Sequence, residues 1–579
     1  MRNILLVLAL LAGPVIADDH AVPLRSSITL NSGIPLSEAQ RSFRVEHYEI
    51  HNEIMPEEKA IAGSSTVTIE AINALTTLEL DFDGLFTIDA VTDADGPLEY
   101  SRDEAKIYVT LREVLPAGGR HKVKIAYHGK PHEAERPPWA GGFQWAETES
   151  GKPWIATAIQ GEGCDLWWPC VDHPQREPNG LDMYFTVDEG LSAAANGVLV
   201  DVKTHADGRK TFHWRTQVTT NTYGVALNVG PYVLLEDSYT SSNGTEIPIQ
   251  FWVTEDHADQ GRELMDREFA LNIEFFERKL GPYPWGQEKL GVAETPHLGM
   301  EHQTINAYGN EFKRGKHGFD WLFNHELAHE WFGNVMTHVT VSDMWLHEGT
   351  GAYMQPEFAR EIVGDAAYYA SMYDSYLKIA ACNPIAPREE FSADELYFDD
   401  VEGRGPAGDI YAKGAWVLQS LRYVIGEEDF WDAIRILLYD TAEPAKLKPP
   451  IQARLRSTDD FMRIASDVYG TDLDWFFEVY TRRGPLPILA SVDTDEGVFL
   501  EWQNVDDLSF PMPIPVRING EIQRVEFSGN STTLEGHSTA DIQIDPFMHV
   551  LRKLSIVPTC EERRAEEAAA EANAEAEAA

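Results

Sequence analysis

Hydrophobic positions alternate with polar ones through the first half of the chain. Val67, Ile69 and Ala71 form one run, Ile107, Val109 and Leu111 a second, and Val123, Ile125 and Tyr127 a third. Gly, Asp and Pro clusters punctuate these runs, so the stretch from about Arg44 to Thr245 reads as antiparallel strands. Past Pro248 the period changes. Met265, Phe269, Ile273, Phe276 and Leu280 follow helical spacing and stop at Gly281-Pro282. Helical patterns then dominate through Arg482. After Gly484-Pro485 alternation returns, and Ile514, Val516 and Ile518 run into Asn519-Gly520, a strong hairpin signal. The expected architecture is multidomain α+β. Residues 18–246 form an N-terminal β domain, 247–485 a mostly helical domain, 486–556 a small C-terminal β unit and 557–579 an acidic Ala/Glu tail. No internal repeat is visible.

The first residues set an expected compartment. Arg2 supplies a positive charge, Ile4 to Ala12 an apolar core, and Val15-Ile16-Ala17 a small-residue cleavage site. This pattern predicts a secretory signal over residues 1–17 and an exported protein, periplasmic or secreted. The apolar run is too short to span a membrane comfortably, and no later stretch is long and apolar enough. No cysteine follows the cleavage site, so no lipid anchor is expected. Four cysteines in 579 residues do not make a disulfide scaffold. Cys164 and Cys170 are close enough to bridge in an oxidising compartment, and a buried thiol in the Trp-Pro-Cys segment is equally compatible.

Charge narrows the partners. The chain carries 94 acidic against 47 basic residues, a net charge of −47. The tail from Glu561 to Ala579 holds seven Glu and two Arg, so the acidity belongs to the body. A surface this negative repels phosphate backbones and anionic lipid, which argues against nucleic-acid and membrane partners.

Candidate chemistry concentrates in one segment. In His325-Glu326-Leu327-Ala328-His329 the two histidines lie four apart and share one helix face, where both can bind a single ion. Glu326 points beside that ion, where a base can take a proton from water. Eighteen residues (330 to 347) separate the motif from Glu348, the natural third ligand on a second apolar-backed helix start. His347 is the rival, but points roughly 100° away if that segment is helical. A metzincin site needs Gly three and His six residues past the second histidine, where Phe332 and Val335 stand. Trp331-Phe332-Gly333-Asn334 closes the motif helix. Glu330 and Asp343 are either partners that orient the histidines or ordinary surface and helix-start acids.

His325-Glu326-x-x-His329 with eighteen residues to Glu348 resembles the gluzincin metallopeptidases of the aminopeptidase N family, which includes the leukotriene hydrolases. Three further stretches are similar to that family. Leu298-Gly299-Met300-Glu301-His302 resembles its exopeptidase motif Gly-x-Met-Glu-Asn, with His302 in place of Asn and Leu298 in place of the first Gly. Ile410-Tyr411-Ala412-Lys413-Gly414 resembles the segment that carries its catalytic tyrosine. Gln160-Gly161-Glu162-Gly163, running into Trp168-Pro169-Cys170, resembles its first substrate-binding segment.

The resemblance implies a β-saddle, a thermolysin-like catalytic domain and a small β-sandwich, in a short form that ends where many relatives continue into a helical-repeat domain. It implies one zinc ion per chain and an aminopeptidase acting on peptides with a free amino terminus. By resemblance Glu301 recognises the terminal amine, Gly299 and Met300 present backbone groups to the substrate, and Tyr411 donates to the oxyanion. Gln160 falls where most relatives carry Glu and leukotriene hydrolases carry Gln, so amine binding should lean on Glu301; Glu162 is a further candidate for the same task. Read from the residues, Asp409 looks like a helix cap with Trp416, Leu418 and Leu421 as an apolar stripe, placing Tyr411 in the first turn. Two other readings of the chain stay open: epoxide hydrolysis at the same zinc, suggested by Gln160, and a non-catalytic peptide-binding protein.

Overall fold

A computed structural model of the chain describes residues 31–103, 105–397, 404–558, 560 and 562. The expected signal segment and almost all of the acidic tail lie outside the described residues. The N-terminal half is β-rich, as its alternation predicts. An eight-stranded sheet runs in the order Val198–Thr204, Lys210–Thr216, Leu181–Val187, Phe43–Met55, Ala60–Ala71, Arg120–Gly129, Phe86–Asp93 and Gly96–Pro97. Val67 and Ile69 on one strand pair with Val123 and His121 on its neighbour, and Val67, Ile69, Val123 and Ile125 are all buried. One pair departs from the expected pattern: Phe43–Met55 and Leu181–Val187 are parallel, with Tyr48 opposite Leu181. The intervening chain leaves the sheet and returns, so a tight hairpin cannot join them.

The helical region contains a sheet that periodicity does not reveal. Tyr232–Thr240, Glu246–Thr254, Leu290–Glu294, Asn306–Tyr308 and Gly299–Met300 pair in that order. Pro248, where the period changes, lies inside the second of these strands. Leu290–Glu294 is buried at every position, so it shows no alternation. The helical run past Pro248 is present as expected, with Met265, Phe269, Ile273, Phe276 and Leu280 buried, although Met265–Phe269 forms a π-turn between two α-helical stretches.

Five helices build the site: α1 (Trp321–Ala328), α2 (Trp345–Ile362), α3 (Asp365–Tyr376), α4 (Ala393–Tyr397) and α5 (Asp409–Ile425). They share one apolar core with the five-stranded sheet and with the C-terminal unit. That unit holds two three-stranded sheets, and its Asn519-Gly520 turn takes φ +51° and +89° between Ile514–Ile518 and Glu521–Val525. Positive φ at both turn residues is what a two-residue hairpin requires. Both cysteine pairs are bridged: Cys164–Cys170, and Cys382–Cys560 across 178 residues. Among the described residues no helix is long and apolar enough to cross a membrane.

Candidate active site

Asp320 starts α1 by accepting from Leu322 N and Phe323 N, and the helix is shorter than its closing Gly-Asn suggests. It ends at Ala328, with His329 as its cap. The chain then tightens into turns, and this lets Phe332 O reach His329 Nδ1 at 2.7 Å. With that nitrogen committed as donor, His329 Nε2 keeps its lone pair. The Gln355 side-chain nitrogen lies 3.1 Å from Nδ1 of the other ring, that of His325. Glu348 enters from the first turn of α2.

The three expected ligands converge. His325 Nε2 and His329 Nε2 are 3.2 Å apart, and Glu348 Oε2 lies 3.5 Å and 3.4 Å from them. Bonds of about 2.0–2.1 Å place the corners of a tetrahedron about 3.3 Å apart, so this triangle has the size of one zinc face. Glu348 Oε2 is buried and accepts no hydrogen bond. Charge argues the same way. Burial opposes protonation of His329, yet Glu301, Glu348 and Glu326 around it raise its pKa to about 10. The acids thus hold a positive charge at this point, and a divalent cation supplies one. The donor set, two imidazoles and a carboxylate with a fourth side facing the cleft, fits zinc.

Glycines allow the close approaches. A Cβ on Gly351 would lie 3.1 Å from His329 Nε2. One on Gly299 would lie 2.4 Å from Glu326 Oε1 and 2.6 Å from Leu322 Cδ1, so the strand edge can pass the base only as glycine. Gly299 and Met300 form the outermost strand of the five-stranded sheet and line the cleft with Glu301. Ligand atoms of Glu301, Glu326 and His329 all lie within 4.8 Å of one another. Glu301 Oε1 accepts from Gln160 Nε2 at 2.8 Å and from Tyr223 Oη at 3.1 Å. Burial, with Glu348 nearby and His329 opposing, pushes the Glu301 carboxyl up to about 7 before any cation is added. The cleft has a volume of about 720 Å³.

Residues 44–223 match the model of the Peptidase M1 N-terminal domain and residues 270–480 that of the Peptidase family M1 domain. The chain belongs to the M1 peptidase family. Among curated M1 relatives, the leucyl aminopeptidase of Saccharolobus solfataricus is 22% identical over 83% of this chain and 59% of its own length. The endoplasmic reticulum aminopeptidase 1 of Homo sapiens is 26% identical over 58% of this chain and 36% of its own. The leukotriene A-4 hydrolase of Xenopus laevis is 25% identical over 56% of this chain and 52% of its own. The chain thus spans about a third to three-fifths of such relatives. A solved M1 zinc metallopeptidase from Deinococcus radiodurans shares the fold, with a TM-score of 0.64 at 23% identity, over 80% of this chain and 99% of its own.

The segment that carries Tyr411 lines the same cleft. Asp409 does not cap α5, however. It is the first helical residue, and its carboxylate accepts from Ala380 N and Ala381 N, tying α5 to the loop after α3. Tyr411, in the first turn, has its ring 6.2 Å from that of His325. Its hydroxyl contacts Glu348 and the Trp139 side chain, and burial holds its pKa well above the ordinary value, so it is a neutral donor.

Other candidates fall elsewhere. His347 Nε2 accepts from His338 N and faces away from the ligands. Glu330 accepts from Tyr283, Thr304 and Asn334, and Asp343 caps Thr458. Neither touches an imidazole; Phe332 O and Gln355 do that work. Glu162 accepts from Gly141 N rather than meeting the amine site. His302 is fully buried, its ring turned toward His297. Trp139, Tyr223, Gln355 and Tyr397 at the site carry no motif. The one cue for Trp139 is its place beside Pro137-Pro138, where it is one of two exposed tryptophans among the described residues. The other, Trp321, lines the same cleft.

Proposed function

We propose that this chain is an exported zinc aminopeptidase that hydrolyses the first peptide bond of peptides with a free amino terminus. The observation that carries the reading is the meeting, around His329, of a zinc-sized donor triangle, a free base and an anchored carboxylate. An amine-recognising acid so close to the metal leaves room for only one residue before the scissile bond. The solved Deinococcus relative is described as bound to Tyr-Ser-Ala, a short peptide. Export is supported by the Met1–Ala17 pattern and by two disulfides, which persist in oxidising compartments.

His325, His329 and Glu348 hold the zinc, which when bound acidifies water and polarises a carbonyl. Glu301 pairs with the substrate ammonium, while Gln160 and Tyr223 fix its carboxylate. A charged pair in a buried site is much stronger than in water. Glu326 takes the proton of the attacking water and returns it to the leaving amine. Tyr411 donates to the oxygen that becomes negative as the carbonyl turns tetrahedral. Gly299 and Met300 offer edge-strand backbone to the peptide.

The test is a panel of amino-acid arylamides beside their acetylated counterparts, with chelator and zinc restoration. Free-amine substrates are expected to be cleaved, acetylated ones spared, and chelation reversible by zinc. Glu301→Ala should narrow that gap. Gln160 and the similarity to a leukotriene A-4 hydrolase favour one second reading, epoxide hydrolysis; an epoxide substrate turned over while arylamides stay intact would select it.

A further inference from the structure

Tyr397 occupies a place that no motif reaches. Its hydroxyl donates to Glu348 Oε1 at 3.2 Å, on the ligand-carboxylate oxygen turned away from the imidazoles. The same hydroxyl lies 3.5 Å from Gln160 Oε1, and Gln160 Nε2 donates to Glu301 Oε1. Glu348, Tyr397, Gln160 and Glu301 therefore line up as one polar chain from metal ligand to amine anchor, in which Glu348 Oε1 and Gln160 Oε1 share the single Tyr397 hydroxyl proton.

The backbone holds this chain together. Tyr397 ends α4, whose start is pinned from the N-terminal segment: Ala393 N donates to Ser32 O at 2.9 Å and Asp394 N to Asn31 Oδ1 at 3.0 Å. Glu395 caps the same turn through Ser392. Ser32 N in turn donates to Gly161 O at 2.9 Å, next to Gln160. One buried residue thus bonds both segments that carry the middle of the chain. A carboxylate ligand with an unheld second oxygen can rotate, and a donor there fixes which oxygen faces the metal.

We propose that Tyr397 is a positioning residue that orients the ligand carboxylate of Glu348 and, through Gln160, couples it to the amine anchor Glu301. Only the second half of this statement rests on the aminopeptidase reading.

Tyr397→Phe in the full chain removes the hydroxyl alone. Competition against a chelator of known affinity should show zinc bound about 10–100-fold more weakly, the usual effect of losing a ligand's hydrogen-bond partner. The selectivity for free-amine over acetylated arylamide should fall, with KM rising for the free-amine substrate. Tyr397→Gln and Tyr397→Leu form a second pair, similar in size, of which only Gln carries a donor; Gln should bind zinc more tightly than Leu. Zinc affinity within twofold of the parent in a folded Tyr397→Phe, or equal in the Gln and Leu variants, overturns the positioning role. A weakened metal site with unchanged amine selectivity overturns the coupling. If the parent binds zinc yet cleaves no amino-terminal bond, the aminopeptidase reading fails, and the zinc comparison still decides the positioning role.

Discussion

Gly349 and Gly414 face each other where α2 crosses α5. A methyl on Gly349 would lie 2.9 Å from Gly414 Cα, and one on Gly414 would lie 2.8 Å from Gly349 Cα. Gly349 follows the ligand Glu348, and Gly414 lies one turn past Tyr411, so this crossing sets how close ligand and tyrosine come. Gly414→Ala is expected to push the helices apart and to destabilise the protein by about 1–3 kcal/mol, as overpacking does. Turnover should fall more than KM rises. Urea unfolding beside steady-state kinetics checks both, and an unchanged kcat in a destabilised variant would separate the crossing from the chemistry.

Glu326→Gln keeps the side chain's size beside Gly299 and removes its basicity. Metal content should stay at one zinc per chain, while kcat drops by about 10²–10⁴-fold, the range for a lost general base. Metal analysis and arylamide kinetics on the same preparation make the measurement. Retained activity would move the base to Glu301, the carboxylate outside the ligand triangle that also lies within reach of His329.

Tyr411→Phe should depress kcat by about 10²–10³-fold with little change in KM, because its bond forms as the oxygen becomes negative. Trp139, which contacts the same hydroxyl, offers a graded comparison. Trp139→Phe keeps an aromatic wall and removes the indole N–H, so its kcat should lie between those of the parent and Tyr411→Phe. A kcat equal to the parent's would limit Trp139 to lining the cleft.

The metal triangle was legible because His325 and His329 are local, four apart on one helix, and because Glu348 starts the next. Alternation likewise exposes Ala60–Ala71 and Arg120–Gly129, where buried residues recur at every second position from Val67 to Ala71 and from Val123 to Tyr127. Leu290–Glu294 stayed hidden because a strand buried on both faces has no polar phase. Tyr397 stayed hidden for a different reason. Its partners are 49 and 237 residues away, and nothing local marks one tyrosine among 21. The motif also implied a longer helix than α1, since the sequence does not show that Phe332 O must turn back to His329.

Stability should fall as pH rises through neutrality, owing to a buried acid pair flanking the Cys164–Cys170 ring. Burial first, then Asp172, Asp81 and Asp83, raise Asp165 well above the ordinary value, and burial, then Asp81, raises Asp172 to about 7. Lys106 is paired with Asp81 and Glu79, and Arg102 donates to Asp83 O, so neither cation neutralises the pair directly. Raised pKa values mean that the folded chain keeps protons the unfolded chain releases near about pH 4. The stabilisation is complete below that pH and is lost as pH rises to about 7. The melting temperature should therefore decline between about pH 5 and 7.5. Asp165→Asn should flatten that decline, and an identical slope in both proteins would place the titration elsewhere.

The two disulfides should differ in what they contribute, and the difference tests which one guards the site. In the chain-entropy account, stabilisation grows with the logarithm of the loop closed. Cys164 and Cys170 are six residues apart, which gives about 2 kcal/mol; Cys382 and Cys560 are 178 apart, which gives about 5 kcal/mol. The long bridge also lies beside the chemistry. Ala380 N and Ala381 N, just before Cys382, hold the Asp409 carboxylate, and Tyr411 is two residues further on. The short ring flanks the acid pair instead, whose Asp172 accepts from Cys164 N. Cys382→Ser with Cys560→Ser is therefore expected to lose more unfolding free energy than Cys164→Ser with Cys170→Ser, and to lower kcat at temperatures where both remain folded. Equilibrium unfolding with kinetics at matched folded fractions makes the comparison. If the short-ring variant loses more stability, residual structure in the unfolded chain outweighs loop length. If kcat is untouched without the long bridge, the Asp409 carboxylate holds α5 in register unaided.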